Sequence, residues 1–90
     1  MITKEQLISV ANELVPQILM SKADVKFEIN SDYGTGDAGI MLWHYHEGYS
    51  TEEHPVPAKY KSLYEFHDDA DLIEFLQQVE NVLQGGLFNG

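Results

Sequence analysis

The segment from residue 39 to 47, GIMLWHYHE, constrains the fold more than any other part of this 90-residue chain. Nearly every residue in it is bulky, apolar or aromatic. Residues of these types favour strands, because their side chains pack well on a pleated surface. We therefore predict that this segment forms the central strand of a small antiparallel sheet.

The first helix is predicted over residues 3–21. Thr3 and Gln6 have the spacing of a capping box, in which each side chain pairs with an otherwise unpaired backbone N–H at the helix start. Pro16 lies within the helical pattern, where it removes one hydrogen bond, so we expect a kink or a break there. Apolar residues at helical spacing form a broad stripe: Leu7, Ile8, Ala11, Leu14, Val15, Ile18 and Leu19.

The remaining elements follow from changes in periodicity. Strands are predicted at about residues 23–30, 39–47 and 58–67, and a second helix over 69–84. Asp68 and Asp69 supply its N-cap, and Asp71 places further negative charge in its first turn. The Gly- and Asp-rich residues 31–39 predict a hairpin loop, and residues 86–90 a loose tail.

The predicted element order is α-β-β-β-α, which gives an α+β fold in one domain spanning residues 1–90. Three strands joined in sequence form an antiparallel meander, and two amphipathic helices cover one of its faces. The other face of the sheet is left to solvent.

The buried side of the central strand is harder to assign, because a register slip of one residue would exchange its two faces. The run from Trp43 to His46 alternates aromatic and polar residues, which favours Met41, Trp43 and Tyr45 facing the helices. On this interpretation the open face carries Ile40, Leu42, His44, His46, Lys61, Leu63 and Glu65. We then expect that both histidines can be replaced without loss of the fold.

Fifteen acidic residues against five basic ones give the chain a net charge of −10. Such a charge repels phosphate backbones and anionic lipid, so we expect neither nucleic-acid nor membrane binding. The chain has no cysteine, and its start lacks a basic and apolar leader, so we expect a cytoplasmic protein.

The predicted element order resembles that of double-stranded-RNA-binding domains. The resemblance implies a lysine cluster at the start of the last helix, where such domains grip phosphates. This chain has Asp68, Asp69 and Asp71 at that position. The resemblance is therefore one of element order, and RNA binding does not follow from it.

The charge balance favours a small acidic protein-binding module that engages a basic, nucleic-acid-binding protein by charge complementarity. Inhibitors, immunity proteins and anti-CRISPR-like proteins of phage have this combination of small size and acidity. The candidate contact residues are Asp68, Asp69, Asp71, Glu74, Glu52, Glu53, Asp32, Asp37, Leu42 and Leu63.

Two alternatives stay open. His44 and His46 lie two apart on one strand, where His67 or Glu65 could complete a metal site. The chain could also be a small structural subunit that assembles through its sheet edges. We expect no enzymatic activity and no cofactor, since no catalytic or nucleotide-binding motif is present.

Overall fold

The computed structural model describes residues 1–32 and 34–89, so Tyr33 of the predicted loop and Gly90 of the predicted tail lie outside the described residues. Two helices and a three-stranded antiparallel sheet follow one another in the order α-β-β-β-α, which confirms the predicted fold class. The elements are α1 (Lys4–Met20), β1 (Val25–Asn30), β2 (Gly39–Tyr45), a 3₁₀ helix (Glu47–Tyr49), β3 (Ala58–Tyr64) and α2 (Asp69–Leu83). No helix in the described ranges has both the length and the apolar composition needed to cross a bilayer.

The strand predicted to be central is β2, which pairs with β1 on one side and β3 on the other. In this register Leu42 lies between Phe27 of β1 and Lys61 of β3, and Ile40 lies beside Leu63. The aliphatic residues of the three strands are thereby brought to one face of the sheet.

The predicted buried side of β2 was wrong. Ile40, Leu42 and His44 are at most 3% exposed, whereas Tyr45 on the opposite side is 39% exposed. Cross-strand pairing decides this, because the apolar side of β1 aligns with Ile40 and Leu42 rather than with Met41 and Trp43. Leu63, which was also expected on the open face, is fully buried.

The two helices lie side by side on that aliphatic face and run in the same direction. Gln6 near the start of α1 donates to Asp69 at the start of α2, at 3.2 Å. At their other ends, the Ser21 hydroxyl donates to the Leu83 carbonyl oxygen at 2.8 Å. The buried hydrophobic core comprises Ile2, Leu7, Val10, Leu14, Ile40, Leu42, Leu63, Phe75, Val79, Val82 and Phe88.

Both helices begin with a capping box. Thr3 and Gln6 form the predicted one, so α1 begins where the sequence placed it. In α2 the N-cap is Asp68, whose side chain accepts the Asp71 N–H, while the Asp71 side chain accepts the Asp68 N–H. Asp69 therefore does not serve as a cap. A kink or a break was predicted at Pro16, and the helix does not break there, since α1 runs through that residue to Met20.

The C-terminal residues do not form the predicted loose tail. Phe88 is 4% exposed and belongs to the core. Its backbone N–H donates to the Tyr49 hydroxyl at 2.8 Å, and the Asn89 N–H donates to Gln78 Oε1 at 2.9 Å. The described part of the tail is thus fixed by both packing and hydrogen bonds.

Candidate protein-binding surface

The sheet face opposite the helices carries a row of aromatic side chains. Alternation along the strands brings Trp43 and Tyr45 of β2 to this face together with Tyr60 and Tyr64 of β3. Phe66 extends the row, because its ring stacks on that of Tyr64 with centroids 4.9 Å apart. We call this surface the aromatic face; it comprises Met41, Trp43, Tyr45, Tyr60, Tyr64 and Phe66.

The rings of the aromatic face are held by contacts with their neighbours. Trp43 and Tyr60 are a directly opposed cross-strand pair with centroids 4.7 Å apart and an interplanar angle of 41°. The Tyr64 ring lies over Gly39, where an added Cβ would come within 2.5 Å of Tyr64 Cδ1. A side chain at position 39 would therefore displace the ring, so glycine allows Tyr64 to lie flat against the sheet.

Carboxylates collect at one end of the molecule, where both helices start, β2 begins and β3 ends. Helix starts attract acidic residues because their unpaired N–H groups and dipoles favour negative charge. Lys4 and Lys61 lie beside the cluster and are outnumbered by it. We call this region the acidic end; it comprises Glu5, Asp32, Asp37, Glu65, Asp68, Asp69, Asp71 and Glu74.

Backbone N–H groups fix several of these carboxylates and favour their ionised form. The Gly36 and Gly34 N–H groups lower the pKa of Asp32, and the Asp71 N–H lowers the pKa of Asp68. The Ala38 N–H and then the Lys4 side chain lower the pKa of Glu65. Because hydrogen bonds to the charged form stabilise it, the negative charge of this end is held in a defined arrangement.

The predicted acidic contacts divide between two ends of the sheet. Asp32, Asp37, Asp68, Asp69, Asp71 and Glu74 come together at the acidic end. Glu52 and Glu53 lie exposed in the loop between β2 and β3, at the opposite end. Leu42 and Leu63 are fully buried, so the structure removes them from any contact surface of the folded chain.

The sequence prediction missed Trp43 and Tyr60, the central pair of the aromatic face. The sequence did contain a signal for this face, because Tyr60 and Tyr64 recur with the even spacing of one strand face, while Lys59 and Lys61 lie on the other. Aligning these tyrosines with the aromatic side of β2 would have placed both sets on one face.

His44 is a buried core residue rather than an open-face ligand. Its Nδ1 lies 2.6 Å from the Tyr49 hydroxyl, which also accepts the Phe88 N–H. The Tyr49 hydroxyl can thus accept the Phe88 N–H and at the same time donate its proton to Nδ1 of the neutral His44 ring. Burial, and then the nearby His46, lower the pKa of His44, so its neutral form is favoured at pH 7.

The histidines proposed as metal ligands are not gathered into a metal site. The Nδ1 atoms of His46 and His67 accept the backbone N–H groups of Gly48 and Tyr64, respectively. Within residues 1–32 and 34–89, no group of three or more His, Asp or Glu side chains is placed to hold a metal ion.

Comparisons with protein-family models, with curated protein sequences and with solved structures found no match to this chain.

Proposed function

We propose that this chain is a small acidic protein-binding module whose contact surface is the aromatic face together with the acidic end. One observation carries the proposal: on the sheet face that the helices leave uncovered, β2 and β3 present Trp43, Tyr60 and their aromatic neighbours. Exposed apolar patches rimmed by polar residues mark interaction sites in soluble proteins.

The composition of this surface suits a protein partner. Trp and Tyr are enriched among the residues that dominate protein–protein binding energy, because they supply large rigid contact areas with polar tips. Tyr64 and Phe66 lie where the aromatic face meets the acidic end, so one partner can contact both. A partner with an apolar centre and a lysine- and arginine-rich rim would match this arrangement.

Aromatic side chains on an open sheet also bind single-stranded nucleic acids, by stacking on the bases. Those surfaces combine stacking with a positively charged groove, whereas this chain carries a net charge of −10. The acidic charge therefore favours a basic protein over nucleic acid as the partner.

The functional classes that fit such a module are inhibitors, immunity proteins and anti-CRISPR-like proteins. On this proposal the acidic end would occupy a basic nucleic-acid channel of an enzyme or effector in place of phosphate. The module would act in the cytoplasm, by binding alone, with no catalytic residue and no cofactor.

Affinity capture from the native host tests the proposal. The bait is the wild-type chain, and the test variant is Trp43→Ala/Tyr60→Ala. Ile73→Ala serves as a matched control, because Ile73 is an exposed apolar residue on α2, away from the sheet face. Circular dichroism establishes that all three baits are folded.

We expect the wild type and the Ile73 variant to capture the same basic protein, and the double variant to bind it at least tenfold more weakly. Equal binding by the double variant would remove the aromatic face from the contact. Capture of nucleic acid in a nuclease-sensitive form, with no protein, would instead favour a stacking surface for single strands.

A further inference from the structure

We propose that the chain forms a symmetric homodimer by antiparallel pairing of β1 with β1 of a second copy. In the described part of the chain, β1 is an edge strand, with β2 on one side and no strand on the other. An unpaired edge presents a row of N–H and C=O groups that a further strand can bond. The sequence of β1 determines which strand fits best.

The outward-pointing backbone groups of β1 follow from its pairing with β2. The Tyr45 N–H donates to the Asp24 carbonyl oxygen at 2.9 Å, so Asp24 and Tyr45 are a hydrogen-bonded pair. Such pairs alternate along an antiparallel ladder, and Lys26 and Glu28 therefore bond β2 as well. Val25, Phe27 and Ile29 point their backbone groups to the free edge.

An antiparallel pair of β1 strands centred on Phe27 is complementary on both faces. Lys26 of each copy would lie opposite Glu28 of the other, on the face that carries the aromatic residues. On the helix-covered face, Phe27 would lie opposite Phe27, and Val25 opposite Ile29. The residues with outward-pointing backbone groups thus oppose each other, as a hydrogen-bonded ladder requires.

Neighbouring registers lack this complementarity. A pair centred on Lys26 sets lysine against lysine, and a pair centred on Glu28 sets glutamate against glutamate, which is destabilising. In the other edge strand, β3, centring on Tyr60 opposes Lys59 to Lys61, and centring on Lys61 opposes two lysines. Centring on Ser62 avoids these clashes, but it opposes Lys61 to Leu63 and brings no opposite charges together within the strand. Lysines of this kind protect an edge from pairing, whereas β1 matches its own copy.

Helix α1 supplies a second apolar surface beside β1. Ile8 and Leu19 are 58% and 79% exposed, and with Val15 they form a stripe on the side of α1 away from α2. Ile8 lines an apolar groove together with Ile29 of β1, which is 68% exposed. In the proposed dimer both α1 helices flank the joined strands on one side of the sheet, where these residues cover each other.

The dimer leaves the aromatic face uncovered, so it is compatible with the proposed function but does not depend on it. Joining two sheets edge to edge would place the two aromatic faces on the same side of one six-stranded sheet, separated by the Lys26 and Glu28 side chains of the paired β1 strands. Measurements on the purified chain alone therefore test the dimer, whatever partner the aromatic face binds.

Light-scattering mass measurement with charge variants is the direct test. The wild type is expected at twice the 10.2 kDa mass of one chain. Lys26→Glu and Glu28→Lys each oppose like charges and should weaken the dimer at least tenfold. The combined Lys26→Glu/Glu28→Lys variant restores opposite charges and should regain the dimer mass. A monomeric wild type, or a dimer indifferent to both single reversals, would overturn the proposal.

Disulfide trapping checks the register in a chain that has no cysteine of its own. Paired residues at a two-fold axis have Cα atoms about 5.5 Å apart, within the range that a disulfide spans. Phe27→Cys should therefore cross-link to its copy under mild oxidation. Ile29→Cys is the matched control, because its copies would lie more than about 13 Å apart along the strands. Cross-linking of Ile29→Cys with none of Phe27→Cys would contradict the register.

Discussion

At the residue scale, two hydrogen bonds in series hold His44 in the core, where the residue is only 3% exposed. Its burial is possible because Tyr49 satisfies Nδ1, and Tyr49 is in turn held by the Phe88 N–H. Neither partner belongs to a recognisable motif with His44, so the pairing could not be predicted from the sequence.

The buried His44 predicts a loss of stability in mild acid. Its pKa is lowered in the folded chain, so below about pH 6.5 the unfolded chain binds a proton that the folded one excludes. The free energy of unfolding should therefore fall as the pH drops from 7.5 to 5.5. His46 nearby adds to this effect, while Asp24 opposes it.

Urea denaturation of the wild type and His44→Gln at both pH values measures the effect. The variant should be less stable at pH 7.5, because it loses the histidine–tyrosine pair, and it should lose less stability than the wild type on acidification. His54→Gln provides the matched control, because it removes an exposed histidine that lies outside the core. An equal decline in the wild type and His44→Gln would show that His44 is not the residue that titrates. The pKa of Glu65 is also lowered in the folded chain, so it too lowers the free energy of unfolding in acid, but only below the ordinary glutamate value of 4.5, outside the pH range compared.

At the element scale, the helices and strands were predictable because their signals are local. The Thr3–Gln6 capping box, the period-two pattern of β1 and the apolar spacing of α2 each lie within one element. The fixed tail was not predictable, because Phe88 docks against Tyr49, which is 39 residues away in sequence. The buried side of β2 was missed for the same reason, since it depends on alignment with β1.

Docking of the tail predicts that Phe88→Ala is strongly destabilising. Truncating a buried phenylalanine typically costs about 3–5 kcal/mol, through lost burial and the cavity left behind. The matched control is Phe66→Ala, because Phe66 is 52% exposed and should cost less than about 1 kcal/mol. Chemical denaturation of both variants gives the comparison. Similar losses for the two would mean that the C-terminal residues do not contribute to the core.

At the scale of the whole molecule, the parallel helices organise the charge. Because α1 and α2 start at the same end, their acidic first turns meet there with the carboxylates of the loop after β1. The sequence indicated the total charge and most of the residues, but only the packing shows that Glu52 and Glu53 lie apart from the rest. Because the two sets of carboxylates lie apart, removing two charges from one set can be compared with removing two charges from the other.

The acidic end should steer a basic partner toward the adjoining aromatic face. Glu5→Gln/Glu74→Gln removes two charges there, and Glu52→Gln/Glu53→Gln removes two at the other end. We expect the first variant to slow association with the captured partner several-fold at low salt, and the second to have a smaller effect. Stopped-flow rates across a salt series provide the measurement, and the difference should vanish at high salt. Equal slowing by both variants would indicate that the net charge of the chain, rather than the acidic end, determines the association rate.

Trp43 is the only tryptophan of the chain, so it reports directly on whether the aromatic face binds the partner. Incorporating 5-fluorotryptophan gives one ¹⁹F resonance from the centre of that face. On titration with the captured partner, we predict that this resonance shifts or broadens until the complex is saturated. A resonance that stays unchanged while the partner binds stoichiometrically would contradict the account.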